Sequence, residues 1–357
     1  MATDLKGLVL SGGAGTRLRP ITHTSAKQLV PVANRPVLFY GLDALAAAGI
    51  REVGVITGDT HAEIEAAVGD GSAFGLEVTY LRQSAPLGLA HAVLTAADWL
   101  GDAPFVMYLG DNLLRDGITD LVERFRLSAA DALILLQRVP DPQAYGVAEL
   151  EGDRVVRLVE KPREPRSDLA LVGVYMFTHH IVEAARAIRP SARGELEITD
   201  AIQHLIDSGR TVEPHEVTGW WKDTGRLADI LEANRLILDV VEPRIEGECV
   251  RAQIEGRVVL ERGARLVDSS VRGPAVIGAG ALIERVYIGP YTAVSERVVV
   301  RRAEVEHSIL LADSRIEDID ARVESSLVGR GAVIARSQLK PRAYRFMVGD
   351  QSEIGIL

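Results

Sequence analysis

The chain predicts an α/β domain with a mixed, mostly parallel sheet over residues 1–242, followed by a parallel β-helix with a short tail over residues 243–357. Two textures and one loop carry this prediction. Up to about residue 240, short apolar runs alternate with helix-like stretches, the pattern of βα units whose strands are covered on both faces. From about residue 245 helical periodicity stops and an aliphatic residue returns every sixth position. The first apolar run, Leu8-Val9-Leu10, opens directly into a loop with three glycines. Ligands of open α/β sheets bind beyond such strand ends.

The elements follow in order. Val53–Thr57, Phe105–Leu109 and Ala132–Leu136 are apolar runs of buried-strand length. Helical stretches run from Pro36 to Ala48 and from Gly88 to Leu100, each just before a strand. Asp200–Asp207 and Leu227–Val240 read as the last helices, with Thr199 or Asp200 as a cap. In the second domain the six-residue spacing links Leu260 to Leu266, Ile277 to Ile283, Ile288 to Val294 and Val300, and Val328 to Ile334. Three units repeat an aliphatic residue followed by glycine, at Ile277, Ile288 and Val328. Such repeats stack aliphatic side chains inward in a β-helix. The phase slips by one between Ile283 and Ile288, which predicts an imperfect helix. The tail after Lys340-Pro341 is short and polar.

Composition narrows the partners. With 47% hydrophobic and 25% charged residues the chain is globular. A net charge of −10 and the lack of a basic patch favour a nucleotide over a nucleic acid. An acidic chain that binds polyphosphate must gather positive charge locally or recruit a divalent cation. Cys249 is the sole cysteine, so no intrachain disulfide forms. No signal segment and no apolar run of about 18 residues is present, so a cytoplasmic protein without a membrane partner is expected.

The loop reads Gly12-Gly13-Ala14-Gly15-Thr16-Arg17, with Lys27-Gln28 downstream. Glycines admit backbone N–H groups to phosphate oxygens, and Arg17 and Lys27 add fixed positive charge. No lysine follows Gly15, so this is not the P-loop. Position 18 is leucine, so it is not the dinucleotide fingerprint. Asp111, at the end of an apolar strand, and Asp223, in Trp220-Trp221-Lys222-Asp223-Thr224-Gly225, are carboxylates that could converge on one Mg²⁺. Gln83, in Gln83-Ser84-Ala85-Pro86-Leu87-Gly88, offers an amide donor and a carbonyl acceptor, which suits the imide edge of thymine or uracil. Gly88 would let the backbone approach the base.

The string Gly12-Gly13-x-Gly15-Thr16-Arg17-Leu18-x-Pro20 with Lys27 resembles the signature of sugar-phosphate nucleotidylyltransferases. Five blocks over the first 240 residues, in family order, resemble more closely the glucose-1-phosphate thymidylyltransferases of the long form. That resemblance implies a Rossmann-like nucleotidylyltransferase domain and a left-handed β-helix. It implies transfer of a thymidylyl group from dTTP to glucose 1-phosphate, with release of pyrophosphate, by in-line attack on the α-phosphorus without a covalent enzyme intermediate. Arg17, Lys27 and Asp111 would be catalytic, and Asp111 and Asp223 would hold Mg²⁺. Gly12, Gly13, Gly15, Thr16, Gln28, Gln83 and Gly88 would bind the nucleotide. Tyr145, Gly146, Glu160, Lys161, Val172, Glu197 and Trp220 would form the sugar-phosphate pocket, with Lys161 on the phosphate.

Two departures from the family pattern stand out. Leu87 occupies a place where aspartate is common, and Arg226 follows Asp223-Thr224-Gly225 where threonine is common. The first loosens thymidine preference. A uridylyl enzyme, another nucleotidylyltransferase for a related sugar 1-phosphate, and a non-catalytic regulatory subunit stay open as alternatives. A flat β-helix side often packs on copies of itself, which predicts a homo-oligomer.

Overall fold

The computed structural model describes residues 4–13, 15–23, 26–336, 346, 348 and 352–355. Its chain forms two compact units. One comprises Met1–Ala14, Ser25–Leu29 and Val37–Asp223; the other comprises Gly15–Thr24, Val30–Pro36 and Thr224–Leu357.

The first unit is built on a nine-stranded sheet. Its main path runs Arg154–Glu160, Gly146–Glu151, Leu169–Phe177, Phe105–Leu109, Lys6–Leu10, Glu52–Thr57, Glu77–Arg82. Ala132–Arg138 also pairs with Leu169–Phe177, and Val212–Glu216 pairs with Ala132–Arg138. The strands Arg154–Glu160 and Leu169–Phe177 run against the rest, so the sheet is mixed and mostly parallel. Register aligns Leu10 with Ile56 and Leu109, and Thr57 with Arg82. The loops that begin at Ser11, Gly58, Gln83 and Gly110 therefore leave one edge together.

Alternation along each central strand feeds two cores. Leu8, Met107, Ile134 and Phe177 are buried on one face; Val9, Val106, Leu133 and Met176 are buried on the other. Helices cover both faces, as the apolar runs required. The strand Phe105–Leu109 matches its sequence boundaries. The expected helix from Gly88 to Leu100 is two, Leu89–Thr95 and Ala97–Leu100, joined at Ala96. The helix expected to start near Asp200 spans Ile198–Asp207, with Glu197 in the capping position. Neither Thr199 nor Asp200 caps it, because both lie inside the first turn. The buried Thr199 hydroxyl instead donates to Glu160 Oε2 at 3.3 Å.

In the second unit three parallel sheets alternate along the chain, the arrangement of a left-handed β-helix. Registers such as Val258↔Ala275 and Ala275↔Thr292 close the central turns after 17 residues. Leu260, Leu266, Val271, Ile277, Ile283, Ile288, Val294, Val300 and Val305 all point inward with no exposed surface. The five-residue step from Ile283 to Ile288 recurs from Leu266 to Val271 and from Val300 to Val305. That short side is regular in these coils, while the helix is imperfect further on, where turns close after 16 residues at Val300↔Ile316 and after 18 at Val305↔Val323. Left-handed corners at Arg251, Asp268, Arg285 and Arg302 turn the chain at the short side.

Two further pieces pack in this unit. The helix Leu227–Leu238 carries buried Asn234, whose Oδ1 accepts from Ala33 N at 2.8 Å and whose Nδ2 donates to Tyr291 O at 3.0 Å. Ala33 and Asn34, both with positive φ, turn a small hairpin between Pro31–Val32 and Arg35–Pro36. Among the described residues no helix is long and apolar enough to cross a membrane.

Candidate active site

The first unit gathers most of the expected residues at the common edge of its parallel strands. Gly12 and Gly13 extend from the strand Lys6–Leu10. A Cβ on Gly13 would lie 2.8 Å from Lys27 Cε, so glycine is what lets the Lys27 side chain lie across the loop backbone. Lys27 begins the short 3-10 turn Lys27–Leu29, and its ammonium is hydrogen-bonded to Asp111 Oδ2. Burial alone would raise the Asp111 pKa. The Lys27 charge and hydrogen bonds from Lys27 and Asn112 outweigh it and hold the carboxyl below the usual range. Gln28 is buried, and its carboxamide oxygen accepts no hydrogen bond among the described residues.

Asp223 reaches the same place by strand pairing. Trp221–Asp223 runs antiparallel to Asn112–Leu114, with Asp223 opposite Asn112. Two carboxylates more than a hundred residues apart in sequence thus become neighbours. Asn112, which the sequence reading passed over, organises this sheet. Its Nδ2 donates to Asp111 Oδ1 at 3.0 Å. Its Oδ1 accepts from Trp221 Nε1 at 2.5 Å and from Gly173 N at 3.2 Å. A Cβ at position 173 would fall 2.5 Å from that oxygen, so only glycine fits there.

The loop after Glu77–Arg82 holds Gln83. Its Nε2 donates to Gly88 O at 3.2 Å and lies 2.9 Å from His91 Nδ1. The amide donor is therefore engaged within the loop, and Oε1 faces the glycine loop, 3.4 Å from where a Cβ on Gly12 would sit. The sequence reading gave Gln83 both a donor and an acceptor for a base; only the acceptor is left to offer. Gly88 has φ +105° and packs against Leu196, whose N–H donates to Leu87 O at 2.8 Å. Leu87 itself is 41% exposed.

The hairpin of Gly146–Glu151 and Arg154–Glu160 sets Gly146 opposite Glu160. Tyr145 precedes it, and the Tyr145 ring meets Trp221 edge-on at 5.3 Å. The half-buried Trp220 is its neighbour in sequence, but the ring against Tyr145 belongs to Trp221. Lys161 lies 3.1 Å from Glu160 Oε1. Val172 is buried at an irregularity in the pairing of Leu169–Phe177. A cleft of about 750 Å³ opens here, lined by Glu160, Lys161, Arg193, Glu197, Asp200 and Gln203 among others.

Arg193 is the second residue that the sequence reading missed. Its guanidinium spans Glu197, at 2.8 and 2.9 Å, and Glu160, at 3.2 Å. Burial opposes its charge, but the hydrogen bonds and charge of Glu197 hold it firmly protonated. Glu197 is 3% exposed, and its Oε1 also accepts from Ser191 Oγ at 2.7 Å. Burial, followed by the charges of Glu197 and Glu160, pushes the Asp200 carboxyl above its usual range.

Three expected residues lie in the second unit. Gly15 has φ +61°, and Arg17 is exposed in the turn Thr16–Leu18. The side chain of Thr16 lies outside the described residues, as does most of the tail after Lys340-Pro341. Arg226 is exposed just before the helix Leu227–Leu238.

Residues 6–240 match the family model described as nucleotidyl transferase. The chain belongs to the nucleotidyl transferase family. This nucleotidyl transferase is 58% identical to a glucose-1-phosphate thymidylyltransferase of Streptomyces antibioticus, with 99% of each chain covered. It is 54% identical to one of Streptomyces griseus, again over 99% of each. Among solved structures, a candidate glucose-1-phosphate thymidylyltransferase from Bacillus anthracis, in complex with sucrose, superposes with a TM-score of 0.63 at 35% identity. That match covers 67% of this chain and 98% of the other.

Proposed function

We propose that this nucleotidyl transferase joins dTTP to glucose 1-phosphate, giving dTDP-glucose and pyrophosphate. The observation that carries the reading is the run of Gly13, Lys27, Asp111 and Asp223 at one strand edge. It gathers a glycine backbone, an ammonium and two carboxylates, groups suited to a triphosphate and its cation. Full-length similarity to thymidylyltransferases supports the same substrates.

A sugar-phosphate oxygen attacks the α-phosphorus, and the bond to the bridging oxygen of pyrophosphate breaks as the new one forms. Such a reaction asks for alignment and charge neutralisation more than for a nucleophile. Lys27 neutralises charge on the departing phosphates. Lys161 and Arg193 supply the charge that holds the sugar phosphate, while Glu160 accepts from sugar hydroxyls. The donor set of two carboxylates, one of them ionised although buried, fits a divalent cation such as Mg²⁺. Asp111 and Asp223 would hold it, and once bound it would neutralise phosphate charge.

A second reading, uridylyl transfer, is equally compatible with the Gln83 geometry, because a single acceptor serves thymine and uracil alike. Pyrophosphate release measured with dTTP, UTP, GTP and dCTP, each with glucose 1-phosphate, tests both. The expected order places dTTP and UTP well above the others, and a chelator stops turnover until Mg²⁺ is restored. Equal rates with dTTP and GTP would overturn the thymidylyl reading.

A further inference from the structure

We propose that His91 is a positioning residue that fixes the Gln83 carboxamide, so that the pocket presents only a carbonyl oxygen to the base. The site then selects bases whose ring nitrogen carries a hydrogen, as in thymine and uracil, against cytosine, whose N3 carries a lone pair. This inference rests on the reading above that Gln83 faces the base.

The orientation follows from donors and acceptors. Gly88 O can only accept, so the amide atom 3.2 Å from it is the nitrogen. That nitrogen has two hydrogens, and its second partner is His91 Nδ1 at 2.9 Å. His91 Nδ1 must therefore accept, which puts the imidazole proton on Nε2. With both N–H groups engaged, rotating the amide would set two carbonyl oxygens against each other. The remaining atom, Oε1, is the one turned toward the glycine loop.

Both partners are themselves held. Gly88 is locked by its φ of +105° and its packing on Leu196. His91 stands on the helix Leu89–Thr95, whose start is tied down by the hydrogen bond from Ala90 N to Leu196 O at 3.0 Å. Its neighbours Ala90, Ala92 and Val93 are buried, which fixes the rotation of that helix. Gln83 is anchored through its own N–H to Thr57 O at 2.9 Å. A single imidazole lone pair thus decides whether one amide hydrogen is spent inside the loop or offered to the ligand.

The test compares kcat/KM for dTTP and dCTP in wild type, His91→Leu, His91→Gln and Gln83→Leu, with glucose 1-phosphate as co-substrate. His91→Leu removes the acceptor and is expected to lower the dTTP:dCTP preference by about tenfold. His91→Gln restores an acceptor through its side-chain carbonyl and is expected to recover most of the preference. A His91→Leu enzyme that loses both activities equally, leaving the ratio at its wild-type value, overturns the inference. Gln83→Leu separates the two readings: if it also leaves the ratio unchanged, Gln83 does not face the base and the base site itself is misplaced. Nitrogen NMR of the wild-type imidazole serves where a variant fails to fold. An unprotonated Nδ1 is expected, and a hydrogen found on Nδ1 refutes the arrangement.

Discussion

The two units use their residues in opposite ways. In the α/β unit one side chain, Asn112, joins Asp111, Trp221 and Gly173, and among the described residues no other side chain joins these three. In the β-helix the inward aliphatic residues of the central coils have equivalents one coil above and below, as Ile283 has in Leu266 and Val300. Most residues of the proposed site fall in the first unit, and the repeated packing falls in the second. Substitutions should therefore separate cleanly into those that stop turnover and those that loosen the fold.

The largest effect is expected from Asp111→Asn. The change keeps the shape but removes the charge that Lys27 faces and that the proposed cation needs. Turnover should fall by about 10³-fold, the scale of losing one strong electrostatic contact to the transition state. Pyrophosphate release gives the number, and circular dichroism at the assay temperature shows that the protein is folded. Turnover within tenfold of wild type would remove Asp111 from the site. Ile283→Ala is the counterpart in the coils. It opens a cavity among side chains with no exposed surface and should cost about 2–5 kcal/mol of stability. Activity measured below the melting transition should stay at the wild-type level, and a fall would mean that the coils do more than support.

The same contrast governs what could be read from the sequence. Repetition made the coils visible, since an inward position that recurs every five or six residues needs no knowledge of contacts. The strand Phe105–Leu109 was also plain, because a fully buried strand is a bare apolar run. Single long-range contacts left no local trace. Nothing beside Asn112 in the sequence marks it, and its meaning comes from Trp221, 109 residues away. Arg193 sat in an ordinary polar stretch until the hairpin brought Glu160 to it. Thr199 looked like a cap because helix starts favour threonine, but tertiary contact with Glu160 claimed its hydroxyl.

Gly173→Ala sharpens the point at a smaller scale. The added methyl would fall 2.5 Å from Asn112 Oδ1, so Asn112 or the strand Leu169–Phe177 must shift. Overpacking of this kind costs about 1–3 kcal/mol. Because Asn112 also binds Asp111, turnover should drop by about tenfold, beyond what the melting shift explains. Wild-type turnover in a destabilised protein would show that Asn112 supports the fold alone.

The smallest effect is expected where repetition is most complete. Arg301 bridges Glu284 at 3.1 Å and Glu317 at 3.1 Å, tying three successive coils along the outside of the β-helix. The three side chains are between 20% and 35% exposed, so water and salt screen them in part. A bridging network of this exposure should contribute about 0.5–1 kcal/mol. Arg301→Ala should lower the melting temperature slightly in dilute buffer. The difference should shrink in about 1 M salt, where the screening length falls to about 3 Å. A large loss that salt does not reduce would mean that the arginine stem, rather than its charge, packs the coils. Turnover should not change in either buffer. Removing one rung of a ladder leaves the others in place, whereas the site around Asn112 has no second copy to fall back on.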